Sequence, residues 1–182
     1  MSQKVLKIPV LEPQAKVRLL PWQPENAAYL LKWAEMPSMA EFFRHLPPTM
    51  ALMSPASLGA LQSVSWAIYR EDELVGLFMV TDQNQQAQSC SISILVDWAD
   101  SKERRRIVCS VTEQAADYLY NYLNYNKVSC KLLETRTDIR KCLESYGFQL
   151  EATLINSAKY RGVFWNEWLL SCFKETFQWD KH

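Results

Sequence analysis

At 182 residues, 48% hydrophobic and 22% charged, the chain has the size and composition of one globular domain with a real core; two would be cramped. Its 20 Lys and Arg residues balance 20 Asp and Glu, so bulk charge argues against nucleic acid or a membrane as partner, and any anion recognition must be local. No apolar run approaches the roughly 20 residues needed to span a bilayer. The five cysteines (Cys90, Cys109, Cys130, Cys142, Cys172) are scattered and form no C-x-x-C pair, and no leader-like N-terminus is visible, which leads to the expectation of a cytoplasmic protein with reduced thiols.

Residues 1–15 carry charges and prolines and read as an extended arm, with a single domain over residues 16–182. From Lys16 to Leu20 the pattern alternates into a short strand ended by Pro21. Pro24 and Glu25 then open a helix through Trp33, with proline in the first turn and an acid beside it. Between Met36 and Pro55 four prolines flank Phe42, Phe43, Arg44 and His45, which predicts a helical turn or two between breaks. Ser54 and Pro55 cap another short helix, Ala56 to Gln62.

Val64, Trp66 and Ile68 alternate as a strand, Glu71 to Glu73 is a charged turn, and Leu74 to Val80 is a second strand, so the pair reads as an antiparallel hairpin. Asp82 to Gln88 is a polar connection to a third strand, where Cys90, Ile92, Ile94 and Val96 share one face. After Asp97 to Asp100 the period changes. Ile107, Val108, Val111, Ala115, Leu119 and Tyr122 fall on one face of a helix about five turns long. Three consecutive arginines, Arg104, Arg105 and Arg106, stand at this strand-to-helix junction, where an anion would meet a helix N-terminus and cationic side chains. Asp100 and Glu103, three apart, form a capping-box pattern that would start the helix early and use its free N–H groups internally.

Lys127 to Leu133 is a further strand, and Thr137-Asp138 caps a helix from Ile139 to Tyr146 that stops at Gly147. Gln149 to Ile155 and Val163 to Phe173 close the chain as strands, with Gly162 in their connection. Helices set among a strand-rich order make this an α+β domain with a mixed sheet. Seven Trp and eight Tyr against four Gly suit either bulky core packing or a partner surface.

This order of elements resembles the GNAT superfamily of acyl-coenzyme A dependent N-acyltransferases, and several local stretches agree with it. Val17 to Ala27 resembles the opening of the ribosomal-protein N-terminal acetyltransferase branch. Leu74-Val75-Gly76 is similar to the start of a central strand of the family. Thr112-Glu113 resembles a step in its long helix, Gly147-Phe148 a helix ending, and Arg161-Gly162 with Asn166 to Leu170 its last hairpin. The resemblance implies a single domain with a central, mostly antiparallel mixed sheet of about seven strands and about four helices. It also implies acetyl-CoA as cosubstrate and an amine acceptor, either a protein N-terminus or a small amine.

In the family the junction after the third meander strand is a phosphate loop with an Arg/Gln-x-x-Gly-x-Gly/Ala pattern. Aligned through Thr112-Glu113, Arg104 takes the Arg/Gln position, while Ile107 and Cys109 stand where the glycines belong. The resemblance therefore implies coenzyme contacts from Val96, Trp98, Arg104, Arg105, Arg106, Ile107, Val108, Cys109 and Ser110, in a loop that has lost both glycines. The family's Asn after the next strand falls on Arg136, a further cofactor-binding candidate, and its frequent Tyr acid falls on Leu143.

Acyl transfer to an amine needs a base for the ammonium, a donor for the thioester oxygen and an acid for the thiolate. Asp97 and Glu134, each at a strand end, are the candidate bases, although an acid in that place is more often a cap or turn residue. Tyr146 is a candidate acid or a helix-end packing residue, and the resemblance implies that backbone N–H groups near Val96 to Trp98 serve as the oxygen donors. By the resemblance, the proline-flanked segment with Phe42, Phe43 and His45 covers the acceptor site, and these residues are the candidate acceptor pocket. His45 has no partner at ligand spacing, so no metal is expected. Cys109 reads as a reactive or a buried structural thiol. Two functions stay open: an active N-acetyltransferase, or a GNAT-like binding or assembly module without turnover, for which a homodimer through Phe164 to Trp168 is the expected assembly.

Overall fold

The computed structural model describes residues 17–35, 65–160 and 163–179. The expected arm over residues 1–15, Phe42, Phe43, His45, the helix from Ala56 to Gln62 and Arg161-Gly162 lie outside the described residues. The rest is a seven-stranded sheet in the order β1-β2-β3-β4-β5-β7-β6. Its strands are β1 (Val17–Pro21), β2 (Ser65–Arg70), β3 (Glu73–Asn84), β4 (Ser89–Val96), β5 (Lys127–Leu133), β6 (Gln149–Tyr160) and β7 (Val163–Phe173). Three α-helices accompany them among the described residues: α1 (Ala27–Glu35), α2 (Ser101–Ala116) and α3 (Thr137–Ser145). All neighbouring strands are antiparallel except β4 and β5. That parallel pair requires a long crossover, and α2 supplies it. The α+β class and the mixed, mostly antiparallel sheet expected from the sequence are what the chain adopts.

The alternation in β4 explains how the layers are held. Cys90, Ile92, Ile94 and Val96 join Ile107, Val108 and Val111 of α2 and Ile139 and Leu143 of α3 in the main core. On the opposite face Leu95 packs with Leu77, Met79 and Ala67 against Trp22, Leu30 and Trp33 of the α1 side. Trp22 and Trp33 are fully buried there, and each large side chain so removed from water contributes about 2–3 kcal/mol. With both faces covered, the end of β4 is fixed in height and in twist.

Gly76 makes the β3–β4 contact possible. A Cβ at that position would collide with the Leu95 carbonyl oxygen, which is why the apolar run in β3 is interrupted by a residue without a side chain.

Several elements differ from the sequence expectation. β3 continues past Val80 to Asn84, because a bulge after Thr81, with Asp82 at φ 47°, lets the polar tail keep pairing with β4. β6 likewise runs on to Tyr160 through irregular register between Leu154 and Ala158. The long helix closes in a π-helical segment, Asp117–Tyr122, where Tyr118 stacks on Tyr122 at 5.1 Å and meets Trp66 edge-on at 5.3 Å. The expected set of reduced thiols is also corrected. Cys109 and Cys142 form a disulfide joining α2 to α3, with Cα atoms 5.7 Å apart, because both lie where the two helices pack together.

Candidate functional site

The ladder between β4 and β5 is short. It pairs Ser89 with Lys127, Cys90 with Val128, Ser91 with Ser129 and Ile92 with Cys130, and then stops. Each strand nevertheless runs on, held by its other neighbour. β4 stays registered on β3 up to Val96 opposite Gly76, and β5 stays on β7 up to Leu133 opposite Glu167. The two strands therefore part like a V, and a cavity of about 160 Å³ lies between Ser93–Val96 on one side and Lys131–Leu133 on the other. Arg136 and Ile139 close its α3 end, and Thr81 and Asp82 of β3 and Ser91 of β4 also line it.

Parting the strands leaves backbone groups of β4 directed into the opening. The Asp97 N–H donates to the Val75 carbonyl at 2.7 Å, across to β3. N–H groups of successive strand residues point to opposite edges, so that of Val96 points into the gap. An amide N–H lining a cavity is an available donor for an oxygen placed there.

Beyond Val96 the loop Asp97 to Asp100 leads into α2. Asp100 is the N-cap, and its carboxylate accepts the Glu103 N–H at 2.8 Å. The hydrogen bonds from the Glu103 and Lys102 backbone hold the Asp100 carboxyl below its ordinary pKa. The Glu103 side chain turns to Arg70 and Arg106, each at 3.0 Å. Arg70 in turn stacks on the indole of Trp98, 4.4 Å from the ring centroid. Arg104 donates to the Trp98 carbonyl at 2.8 Å and pairs with Asp138 of α3 at 2.8 Å. Trp98 is thus gripped by two arginines, through its ring and through its carbonyl, and the loop that follows β4 is fixed.

A surface groove of about 370 Å³ runs between the N-terminal ends of α2 and α3. Lys102, Arg104, Arg105 and Lys141 line it beside Thr137 and Asp138. With Arg104 committed to Asp138, Arg105 and Lys102 are the exposed cations on the α2 side, and Lys141 is its counterpart on α3.

The residues expected from the sequence separate into groups. Val96 and Arg136 line the cavity; Arg104 and Arg105 line the groove; Trp98 buttresses the loop between them. Arg106 faces solvent on Glu103. Ile107, Val108, Cys109 and Ser110, which the resemblance assigns to the phosphate loop, lie in helix, as their apolar spacing predicts. Capping by Asp100 starts α2 at Ser101, so these residues occupy its second and third turns, where backbone N–H groups serve the helix. Ile107 and Val108 are buried in the core, Cys109 is tied to Cys142, and the Ser110 hydroxyl accepts from Gln114 at 3.0 Å.

None of the three candidates for acid–base chemistry, Asp97, Glu134 and Tyr146, is among the residues that line the cavity. Asp97 is half-buried just past β4, following the odd-numbered positions Ser91, Ser93 and Leu95. The Glu134 carboxylate accepts from the Asn166 side chain at 3.2 Å, which ties the end of β5 to β7. Tyr146 is 1% exposed, stacks on Phe177 at 5.6 Å and lies outside the cavity lining; burial pushes its hydroxyl up to about 12. Arg136, standing where the family has Asn, is the N-cap residue of α3, its Nε 3.9 Å from Asp138.

Sequence reasoning missed Asp82, Ser91, Ser93 and Lys131 in the cavity wall and Arg70 beneath the loop. Small polar residues on one face of a strand look like an ordinary wetted face, so alternation gave no signal for them. Among the described residues no group of three or more His, Cys, Asp and Glu side chains is placed to hold a metal ion, and no helix is long and apolar enough to cross a membrane.

Comparison with known proteins fits this geometry. A family model described as "Acetyltransferase (GNAT) domain" matches residues 16–149. Among solved structures, the chain is similar to spermidine N-acetyltransferase from Vibrio cholerae in complex with CoA and spermine, at 15% identity and a TM-score of 0.71, covering 88% of this chain and 97% of that one. A second similar structure is the N-terminal domain of ribosomal-protein-alanine acetyltransferase from Clostridium acetobutylicum ATCC 824, at 16% identity and a TM-score of 0.53, covering 62% and 84%. At these identities the likeness is one of fold. No curated protein sequence gives a significant match.

Proposed function

The chain belongs to the GNAT acetyltransferase family, and from that membership we propose that it transfers an acetyl group from acetyl-CoA to a primary amine. The observation that carries this reading is the parting of β4 and β5 after Ile92 and Cys130. Strand edges left unpaired inside a domain need hydrogen-bonding partners, and the amide-bearing arm of coenzyme A is a partner of suitable chemistry. The cationic groove at the α2 and α3 N-termini suits its phosphates.

The residues fit the coenzyme in a particular way. The first turn of α2 is closed by the Asp100 carboxylate, so backbone cradling of phosphate is weakened and side chains take over. Arg105, Lys102 and Lys141 are the proposed phosphate ligands; Arg104 and Arg70 hold Trp98 and the loop in place. This is the sense in which the phosphate loop is degenerate: it has exchanged backbone donors for cations. The Val96 N–H is the proposed donor to the thioester oxygen, where negative charge develops as the amine adds.

Asp97 is the proposed base that takes a proton from the acceptor ammonium, directly or through water, because it follows β4 on the face of Ser91 and Ser93. The acceptor is a small amine or a protein N-terminus. The structural likeness to a spermidine acetyltransferase and to a ribosomal-protein-alanine acetyltransferase supports an amine without choosing between these.

A second reading, a binding module without turnover, draws on one observation: Asp100 places a negative charge where phosphate would approach. Calorimetric titration of the full chain with acetyl-CoA separates the two. Saturable binding below millimolar ligand, with free thiol released in the presence of spermidine or an N-terminal peptide, is the expected result. Binding without thiol release across a panel of amines would leave the module, and no heat at millimolar acetyl-CoA would overturn the coenzyme site itself.

A further inference from the structure

We propose that Cys109 and Cys142 are a reversible dithiol–disulfide site through which redox state sets the order of the two helix ends that frame the cationic groove. The site itself rests only on the cysteine pair. Its effect on coenzyme binding rests on the function proposed above.

The placement is specific. Cys109 lies in the third turn of α2 and Cys142 in the second turn of α3, 33 residues apart in sequence, with Cα atoms at a separation that a disulfide spans without backbone movement. Arg104 and Asp138 join the same two helices nearer their N-termini. The helices are therefore linked twice, once by charge at the rim of the groove and once by sulfur behind it. Lys102, Arg104 and Arg105 project from one linked helix and Lys141 from the other. Arg136 and Ile139, at the start of α3, close the cavity between β4 and β5. Releasing the sulfur link leaves the helix ends joined by the ion pair and by core packing.

Selectivity among the five cysteines follows from the partial exposure of Cys109 and from Cys142 being placed to pair with it. Cys90 and Cys130 are buried, and that burial pushes their thiols up to about 12; Cys172 is also raised, and its Sγ lies 3.7 Å from the Tyr146 carbonyl and 3.5 Å from that of Phe173. Those thiols carry little thiolate and exchange slowly. Cys142 is fully buried, whereas Cys109 is partly exposed, so exchange enters at Cys109.

The chemistry balances with a low-molecular-weight disulfide as oxidant. The Cys109 thiolate attacks one sulfur of that disulfide and expels a thiolate, leaving a mixed disulfide. The Cys142 thiolate then attacks the Cys109 sulfur and expels the second thiolate. Both leaving groups take up the protons lost by the cysteines, so one disulfide becomes two thiols as two protein thiols become one disulfide. Excess thiol drives the reverse.

The test uses the full chain equilibrated in glutathione buffers from oxidising to reducing, then denatured for thiol counting. The expected result is three titratable thiols in the oxidised protein and five in the reduced, from the three free cysteines and the pair, with a mass difference of about 2 Da. Peptide mapping should place the link between Cys109 and Cys142. Hydrogen exchange is then compared in the two states: amides of Ser101 to Arg106 and of Thr137 to Arg140 should exchange at least threefold faster when reduced, and Cys109→Ser should show the faster rate in both buffers. Five thiols in glutathione disulfide, or a different pair, overturns the site. Equal exchange rates in the two states overturn the coupling.

Acetyl-CoA affinity should fall at least threefold on reduction. Absence of acetyl-CoA binding in both states would count against the proposed function and leave the thiol count and exchange rates to decide this proposal.

Discussion

Arg104 and Asp138 meet at 2.8 Å between the first turns of α2 and α3, so a residue that the family pattern assigns to phosphate is spent on joining two helices. Its neighbour Arg105 points into the same groove and is exposed. The two arginines should therefore fail differently. Arg104→Ala leaves the Asp138 carboxylate without its close partner and the Trp98 carbonyl without a donor, and is expected to cost about 1–3 kcal/mol of stability. Arg105→Ala should leave the urea midpoint unchanged and weaken acetyl-CoA binding by about tenfold, the loss of one charge-assisted contact. Chemical denaturation and calorimetry on both variants check the split. A loss of affinity without loss of stability in Arg104→Ala would return Arg104 to the phosphate role.

The Asp100 cap gives α2 a pH dependence whose sign is fixed. Backbone hydrogen bonds hold the folded-state carboxyl below its ordinary value of 3.8. A group with a depressed folded pKa contributes stability that is present above the unfolded pKa and is lost as pH falls through the folded one. Acid should therefore loosen the start of α2 progressively below about pH 3.8. Asp100→Asn keeps an N-cap acceptor and should remove this part of the acid sensitivity. The same substitution removes a negative charge from the helix N-terminus and is expected to tighten acetyl-CoA binding by about two- to fivefold at low salt.

Much of this architecture was legible because single residues dictate it. Alternation at Cys90, Ile92, Ile94 and Val96 gave β4 and its buried face. The spacing of Asp100 and Glu103 gave the early helix start, which the structure realises through Asp100, although Glu103 turns its carboxylate to arginines instead of completing the box. The parting of β4 from β5 was not legible, since it depends on where two strands distant in sequence cease to pair, and each strand alone reads as regular. Nor was the use of the arginines. Their partners Asp138 and Arg70 come from other elements, and local sequence shows a basic cluster without showing what neutralises it. The cysteine pair was hidden for the same reason, because only helix packing brings Cys109 to Cys142.

Gly76 is a packing requirement that sequence alone marked only by resemblance. Its Cβ would meet a backbone oxygen of β4, which cannot rotate away as a side chain could. Gly76→Ala should destabilise the domain by about 1–3 kcal/mol as the central ladder shifts. Because that ladder positions Val96, the variant should also lose turnover out of proportion to the fraction unfolded. Turnover measured well below the thermal midpoint, against the stability change from denaturation, checks both.

Tyr146 is expected to be dispensable for chemistry. Its ring is buried on Phe177 and its hydroxyl is pushed up to about 12, so it remains protonated across the working range and lies away from the cavity. Tyr146→Phe should keep turnover within about twofold, since general acid catalysis by a positioned group is worth about 10²–10⁴ and none would be lost. The raised value has a consequence for stability instead. A group whose folded pKa exceeds the unfolded value contributes stability below the unfolded pKa and loses it as pH rises through the folded one. For Tyr146 that window runs from 10 to about 12, and for Cys90 and Cys130 from 9.0 to about 12. Urea midpoints should fall steadily above pH 9.

The roles of Asp97 and Glu134 can be separated by rate and pH together. Asp97 follows β4 beside the opening, whereas the Glu134 carboxylate is engaged by Asn166. Asp97→Asn is isosteric and removes the proposed base, so turnover should drop by about 10²–10⁴ while acetyl-CoA affinity holds. Raising the pH should recover part of that loss, because more acceptor amine is then unprotonated without enzyme help. Glu134→Gln keeps an oxygen acceptor for Asn166 and should lose less than tenfold, with an unchanged pH profile. A profile that flattens in Glu134→Gln but not in Asp97→Asn would transfer the base to Glu134, and with it the acceptor to the β5 side of the opening.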